Sequence, residues 1–314
     1  MPRQNRAIVS REYGHNHIYS RIAGGAKIIG DQEKEFLFNL FTRYASGFFV
    51  TIHSLAIMSN HFHILVSEAG EEAQAATAED LLARYRSIFG QDADPPHGRQ
   101  GSNGETIPDP DGGKERLRKR LRSLSRFVQE VKQAFSHWYN AGHERKGYLW
   151  GDRFGNQLVE KGDAGLVSSA YIDLNPVRAG LAPTPDDFRW SSMGLRARDK
   201  DRARTLLNHL PDFEEQASMD EREAKYRLFV YQQGKIPVPG KAAIDPRIVA
   251  EVEALCGRIG ISDLVKYRIR NLREGIALGS QDFIASIQKS LGRKHIKPRR
   301  VLEDCELYCT RLLS

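Results

Sequence analysis

Two histidines separated by one residue, His61 and His63, stand in the run MSNHFHILV. On a β-strand, where side chains alternate between faces, this spacing puts both imidazoles on one side and Phe62 on the other. Paired imidazoles are a natural half-site for a divalent metal. Two half-buried histidines without a ligand fit the same pattern, so the spacing leaves both readings open. A second candidate lies in AYIDLNPVRAGL, from Ala170 to Leu181. If this stretch is helical, Tyr171 and Asn175 share a face, and the Asn175 amide oxygen can complete a metal site beside the phenol. Pro176 works against that geometry, because it disfavours helical backbone at Asn175 and is expected to kink or end the helix there. A core tyrosine whose hydroxyl finds a partner is the ordinary alternative for Tyr171.

The elements that must position these groups are legible as patterns. Arg6 to Ile22 reads as a strand on which Tyr13, His15, His17 and Tyr19 alternate onto one face. Asp31 is expected to cap a helix from Gln32 to about Ser46, with Phe36, Leu37, Leu40, Phe41 and Tyr44 at helical spacing. Strands follow at Phe48 to Met58 and His61 to Ser67, joined at Ser59 and Asn60 as a hairpin. After a helix at Ala78 to Phe89, the run from Gly90 to Gly113 reads as an acidic flexible loop, and the segment from about 70 to 113 as an insertion. One long amphipathic helix is predicted from Lys114 to about Ala141, with Leu117, Leu121, Leu124, Val128, Val131 and Phe135 along one side. A strand at Tyr148 to Val159 then leads into the helix of Tyr171.

This order predicts an α+β fold, a ferredoxin-like split βαβ antiparallel sheet with helices on one face. The split βαβ domain is expected at 1–195, and 196–314 is read as a mainly helical C-terminal extension, a candidate accessory region. Its helices are predicted at Glu221 to Gln233, Pro246 to Arg258 and Gln281 to Leu291.

Composition narrows the partners. With 314 residues, 40% hydrophobic and 28% charged, the chain is long enough to bury a core, and it has no apolar run long enough for a membrane-spanning helix. Met1 to Ser10 is basic and polar without an apolar stretch, so a cytoplasmic location is expected. Cys256, Cys305 and Cys309 fit reduced thiols, without a disulfide frame or structural zinc site. The net charge of +7 favours a polyanion, nucleic acid ahead of a membrane surface. Basic charge is concentrated: Lys114 to Arg153 holds eleven Lys/Arg against four Asp/Glu, whereas Gly70 to Gly113 holds three against nine. A solvated helix face would look the same. No glycine loop of the nucleotide triphosphatase type is present, so no nucleotide cofactor is expected.

Taken in order, NHFHILV, SRFVQEVKQAFSHWYN, GYLWGDRFGNQLVE, YIDLNPVRAGL and FRWSSMG form a specific series, to which GSQDFIASI near the end adds a shorter match. The chain resembles the HUH-type single-tyrosine transposases, and within them the REP-associated tyrosine transposases, over about residues 6 to 195. The resemblance implies that His61 and His63 are metal ligands, that Tyr171 is the nucleophile, and that Asn175 stands in the place of the helix-borne third ligand. The long acidic insertion and the extended C-terminal part depart from the family pattern.

The implied protein is an enzyme, a single-strand DNA endonuclease and strand-transferase that works with Mg²⁺ or Mn²⁺ through a 5′-phosphotyrosine link. Hairpin DNA with a single-stranded foot is its expected substrate, and either a monomer or a homodimer is compatible. Arg118, Lys119, Arg122 and Arg126 on the basic helix, with Arg153 and Arg178 in the neighbouring motifs, are candidate phosphate contacts. Arg293, Lys294, Lys297, Arg299 and Arg300 form a second basic run. Two alternatives stay open: a hydrolytic nuclease in which the histidines activate water without a covalent intermediate, and a catalytically silent nucleic-acid-binding relative.

Overall fold

β-branched and aromatic residues alternating with polar ones build the strands, and runs at helical spacing build the connections between them. The structure, a computed structural model, describes residues 14–93, 99–100, 106–107, 113–198, 203, 218–256, 275–291, 296–300 and 308–312. The chain opens with β1 (Gly14–Arg21), α1 (Asp31–Gly47), β2 (Val50–Ile57) and β3 (His61–Glu68). Next come α2 (Gly70–Ala75), α3 (Ala78–Phe89), the two-residue strands β4 (Arg99–Gln100) and β5 (Thr106–Ile107), α4 (Lys114–Arg122) and α5 (Leu124–Gly142). Then follow β6 (Gly155–Glu160), α6 (Asp163–Arg178), α7 (Ser192–Arg198), α8 (Met219–Gly234) and α9 (Pro246–Cys256). The chain closes with β7 (Gly275–Gly279), α10 (Gln281–Leu291), β8 (Ile296–Arg300) and β9 (Tyr308–Leu312).

The fold is α+β. Its contacts divide the chain into two compact units, Met1–Ile29 with Ile52–Ser67 and Gly151–Ser314, and Gly30–Thr51 with Glu68–Trp150. The first carries the sheet, in the order β2-β3-β1-β6-β7-β9-β8. β1 pairs antiparallel with both β3 and β6, and β6 pairs parallel with β7. The hairpin between β2 and β3 is closed by the Met58 N–H donating to the His61 carbonyl at 2.8 Å.

The C-terminal extension, read from sequence as mainly helical, also contributes strands, since β7, β8 and β9 join the sheet. Its first strand, GIALG, is an apolar run of five residues, too short for periodicity to separate strand from helix. Phe283, Ile284 and Ile287 of α10 bury against Leu158 and Ala277 there. A second core joins Leu65 and Val159 of the sheet to Leu166, Val167, Ala170 and Leu174 of α6 and to Tyr226 and Phe229 of α8.

The other unit is mainly helical, with the short β4 and β5 pair. Leu37, Phe41 and Tyr44 of α1 and Phe127, Val131 and Phe135 of α5 are buried, and Phe36 stacks on Trp138 with centroids 4.1 Å apart. Asp31 lies in the first turn of α1 rather than at its cap, which is Gly30. The predicted single helix from Lys114 is two helices. Ser123 adopts extended backbone between them, and its hydroxyl accepts from the Arg126 N–H at 3.3 Å as the cap of α5. The acidic run from Gly90 to Gly113 falls mostly outside the described residues, as do Arg293, Lys294 and Cys305. No helix among the described residues is long and apolar enough to cross a membrane.

Candidate active site

Register brings the histidines together. Tyr19 of β1 is the Cα partner of His63 on β3, and Arg21 that of His61. On the other side of β1, Tyr19 faces Gly155 and His17 faces Gln157 of β6. The Tyr19 ring lies so close over Gly155 that a Cβ there would sit 2.3 Å from it, so any side chain at this position would displace the tyrosine. His61 and His63 therefore share a sheet face with His17 and Tyr19, the alternation predicted from the spacing. Phe62 is fully buried on the opposite face.

Hydrogen bonds fix which nitrogen of His61 carries its proton. Asn60 donates its Nδ2 to the Gly25 carbonyl at 2.8 Å, which turns its carbonyl oxygen toward His61, 2.6 Å from Nδ1. An amide oxygen only accepts, so Nδ1 of His61 holds the proton and Nε2 carries the lone pair that a cation requires. Nδ1 of His63 lies 3.0 Å from Nε2 of His17 in a buried contact. Burial pushes the His17 imidazole down to about 4, against an opposing pull from the Gln157 side chain, so it is neutral near pH 7. The polar row continues across the sheet, where His15 and His53 lie 4.4 Å apart and His53 Nε2 meets Ser67 Oγ at 2.8 Å.

Tyr171 is delivered by α6, whose Leu166, Val167, Ala170, Ile172 and Leu174 are buried. The helix does not end at Asn175. It runs through Pro176 to Arg178, and Gly180, with φ of 68°, then closes it as its N–H bonds the Val177 carbonyl and that of Leu181 bonds Pro176. Burial of Pro176 and Val177 holds the helical backbone that the proline disfavours. Asn175 consequently keeps its place one turn after Tyr171, and its Nδ2 donates to the Tyr171 carbonyl at 2.9 Å. The Tyr171 ring lies 5.7 Å from that of His63 and 5.8 Å from that of His17.

His61, His63, Tyr171 and Asn175 all line one cavity of about 1130 Å³. Among the described residues no three His, Cys, Asp or Glu side chains gather to hold a metal. A cation bound in this cavity would have the two imidazoles and, from Asn175, whose Nδ2 is engaged, an amide oxygen as neutral donors among its lining residues. Such a set fits a divalent ion that keeps water ligands.

The basic candidates separate by what they already bind. Arg153 lines the cavity with Arg21 and Lys241, and the carboxylate among the lining residues is that of Asp152. Arg178 lines it too, but its guanidinium donates to the carbonyls of Gln233, Ile236 and Ala242 at 2.9 to 3.0 Å and so clamps the segment after α8 to the site helix. Arg118 donates to Glu115 and to the carbonyls of Ala73 and Ala76. Arg122 faces Glu68 at 3.9 Å, Arg126 bonds Gln129, and Lys119 is largely exposed at 4.0 Å from Glu115. These four belong to the helical unit, whereas Arg153 and Arg178 belong to the sheet unit with the histidines.

Sequence reading did not single out Asn60 or Gln157. It also missed a buried cluster at Asp173. The Asp173 carboxylate accepts from Ser192 Oγ, the Met193 N–H at 3.1 Å and Tyr226 Oη at 2.6 Å, joining α6 to α7 and α8. Burial raises the Asp173 carboxyl and pushes the Tyr226 phenol well up. The signal for it was present as Asp173 in a helix otherwise rich in small and apolar residues.

No family model matches the chain, and no curated protein matches it. A solved structure that it matches is that of a REP-associated tyrosine transposase bound to a REP hairpin. The two are 14% identical with a TM-score of 0.39, and the match covers 70% of this chain and 99% of that one.

Proposed function

We propose that the chain is a metal-dependent single-strand DNA endonuclease and strand-transferase in which Tyr171 is the nucleophile and His61, His63 and Asn175 hold the cation. The observation that carries this reading is the convergence of those four side chains on one cavity, with the phenol beside the imidazoles. A tyrosine phenol, with an ordinary pKa near 10, is a weak nucleophile at neutral pH, so its target must be made more electrophilic. Bound Mg²⁺ or Mn²⁺ would supply positive charge to the nonbridging oxygens of the scissile phosphate.

The chain's own groups account for the rest. Arg21, Arg153 and Lys241 give the cavity the positive charge that draws in a phosphodiester backbone. Tyr171, carried on a helix packed against the sheet, meets phosphorus in a fixed orientation. Its phenolic oxygen bonds to phosphorus as the bond from phosphorus to the 3′-oxygen breaks. The phenol loses its proton to solvent and the departing 3′-oxygen takes one up, leaving a 5′-phosphotyrosine ester and a free 3′-hydroxyl. A second 3′-hydroxyl reverses the step on another strand, so no nucleotide cofactor is consumed. Hairpin DNA with a single-stranded foot is the proposed substrate, in keeping with the family that the sequence motifs resemble.

The test is incubation with labelled single-stranded hairpin DNA from repeats flanking its own gene, in Mg²⁺ or Mn²⁺, followed by a denaturing gel. A metal-dependent covalent adduct present in wild type and absent in Tyr171→Phe supports the reading. Cleavage that survives the substitution points to a hydrolytic nuclease, and specific binding without cleavage to a silent relative.

A further inference from the structure

The proposed function uses one of the two tyrosines that line the cavity, and the other is Tyr19. Its ring stands 5.9 Å from that of His63 and 5.9 Å from that of His17, against 5.7 and 5.8 Å for Tyr171. One phenol comes from β1 and the other from α6, and both meet the same pair of imidazoles. A phosphate in reach of Tyr171 and of a cation at His63 is therefore brought beside Tyr19 as well.

The far end of the Tyr19 side chain is the part that meets this space. Its hydroxyl lies over Gly155, 2.6 Å from where a Cβ would stand, and Gly155, which has only backbone to offer, itself lines the cavity. Tyr19 is half-buried, and among the described residues no hydrogen bond engages its hydroxyl. Packing alone would be served as well by phenylalanine, and what the hydroxyl adds is a donor. Attack by Tyr171 spreads charge over the phosphate oxygens, which a donor already in position stabilises without reorganisation. We propose that Tyr19 is a further catalytic residue, whose hydroxyl donates a hydrogen bond to the scissile phosphate while Tyr171 attacks it, and that Gly155 leaves the space this placement needs. This rests on the strand-transferase reading of the site. No proton has to leave Tyr19, so the balance of the transfer step is unchanged.

The experiment uses the full chain and measures single-turnover cleavage and adduct formation on labelled hairpin DNA from repeats flanking its own gene, in Mn²⁺. Wild type, Tyr19→Phe and Tyr171→Phe are compared, with DNA affinity read in parallel by filter binding. Tyr19→Phe keeps the ring and removes only the hydroxyl, so the packing beside His63 is retained. Its rate at saturating DNA should fall about 10- to 100-fold, as loss of a hydrogen bond to a charged group does, with DNA affinity close to wild type. A wild-type rate in Tyr19→Phe overturns the proposal and leaves the role of Tyr171 intact. An unchanged rate at saturation with weakened DNA binding overturns it too, and makes Tyr19 a contact to base or sugar. An adduct that survives Tyr171→Phe and is lost in Tyr19→Phe overturns both readings, because the nucleophile is then Tyr19, and so does a wild type that binds and does not cleave. If wild type cleaves by hydrolysis with no adduct, and Tyr19→Phe slows that cleavage by the same factor, Tyr19 keeps its place at the phosphate and the strand-transferase reading fails.

Discussion

The helix that carries Tyr171 bears two polar clusters, on nearly opposite sides, and they are built in contrasting ways. At Asp173, two residues past Tyr171 and some 200° around the helix, three donors from two other helices converge on a carboxylate with no exposure to solvent. The cluster is closed on itself. On the Tyr171 side, His61 meets Asn60 and His63 meets His17 through Nδ1, and both imidazoles line a cavity large enough for a nucleotide. Similar polarity thus serves two ends: a carboxylate enclosed by donors fixes where the helix lies, and polar side chains turned to a cavity leave chemistry available.

The largest expected difference between the two sides is in covalent chemistry. Tyr171→Phe should reduce DNA adduct formation below detection while leaving the urea midpoint close to wild type, because the phenol hydroxyl faces the cavity side rather than the Asp173 cluster. Asp173→Ala should do the reverse. It strands Ser192, the Met193 N–H and Tyr226 in the core and should cost roughly 3 kcal/mol or more in urea unfolding, with adduct yield per folded molecule retained. If Asp173→Ala abolishes the adduct in folded protein, the two clusters are not separable.

A smaller effect sharpens the contrast by pH. The His17 imidazole is depressed from an ordinary 6.5 to about 4, so between those values the unfolded chain binds the proton that the folded chain excludes. Its contribution to stability is full above about 6.5 and is lost as pH falls toward 4, amounting to roughly 3 kcal/mol at most. Asp173, raised by burial, acts with the opposite sign, its stabilisation falling as pH rises above its ordinary value. Urea unfolding from pH 4 to 7 should therefore be flatter for His17→Gln than for wild type. Equal slopes would mean that His17 takes up its proton in the fold.

The smallest effect concerns charge at the rim. Arg153→Ala should weaken single-stranded DNA binding and lower the slope of log affinity against log salt by about 1, as loss of one phosphate contact does. An unchanged slope in a filter-binding series would remove Arg153 from the DNA path.

The parts of this arrangement that the sequence discloses are those governed by local rules. Period two placed His61 with His63 and His17 with Tyr19, and the helices at Ala78 to Phe89 and Gln281 to Leu291 have the predicted bounds. What it concealed depends on burial and on partners distant in the chain. Pro176 reads locally as a helix end, yet the buried faces of Pro176 and Val177 carry the helix past it and keep Asn175 beside Tyr171. Ser123 breaks a continuous amphipathic pattern through its own capping hydroxyl. Arg178, read as a phosphate contact, is engaged by three carbonyls from a segment more than fifty residues away. Asp173 and Tyr226, 53 residues apart, could not be paired without the fold.

The most direct test of the central claim is to locate the covalent bond. Wild-type protein is incubated with hairpin DNA and Mn²⁺, digested with nuclease and protease, and its peptides are mapped by mass spectrometry. The account predicts a nucleotide 5′-phosphate on Tyr171 and no other residue, and none when the metal is chelated. DNA cleaved with no modified peptide, or a nucleotide carried by a different side chain, would contradict it.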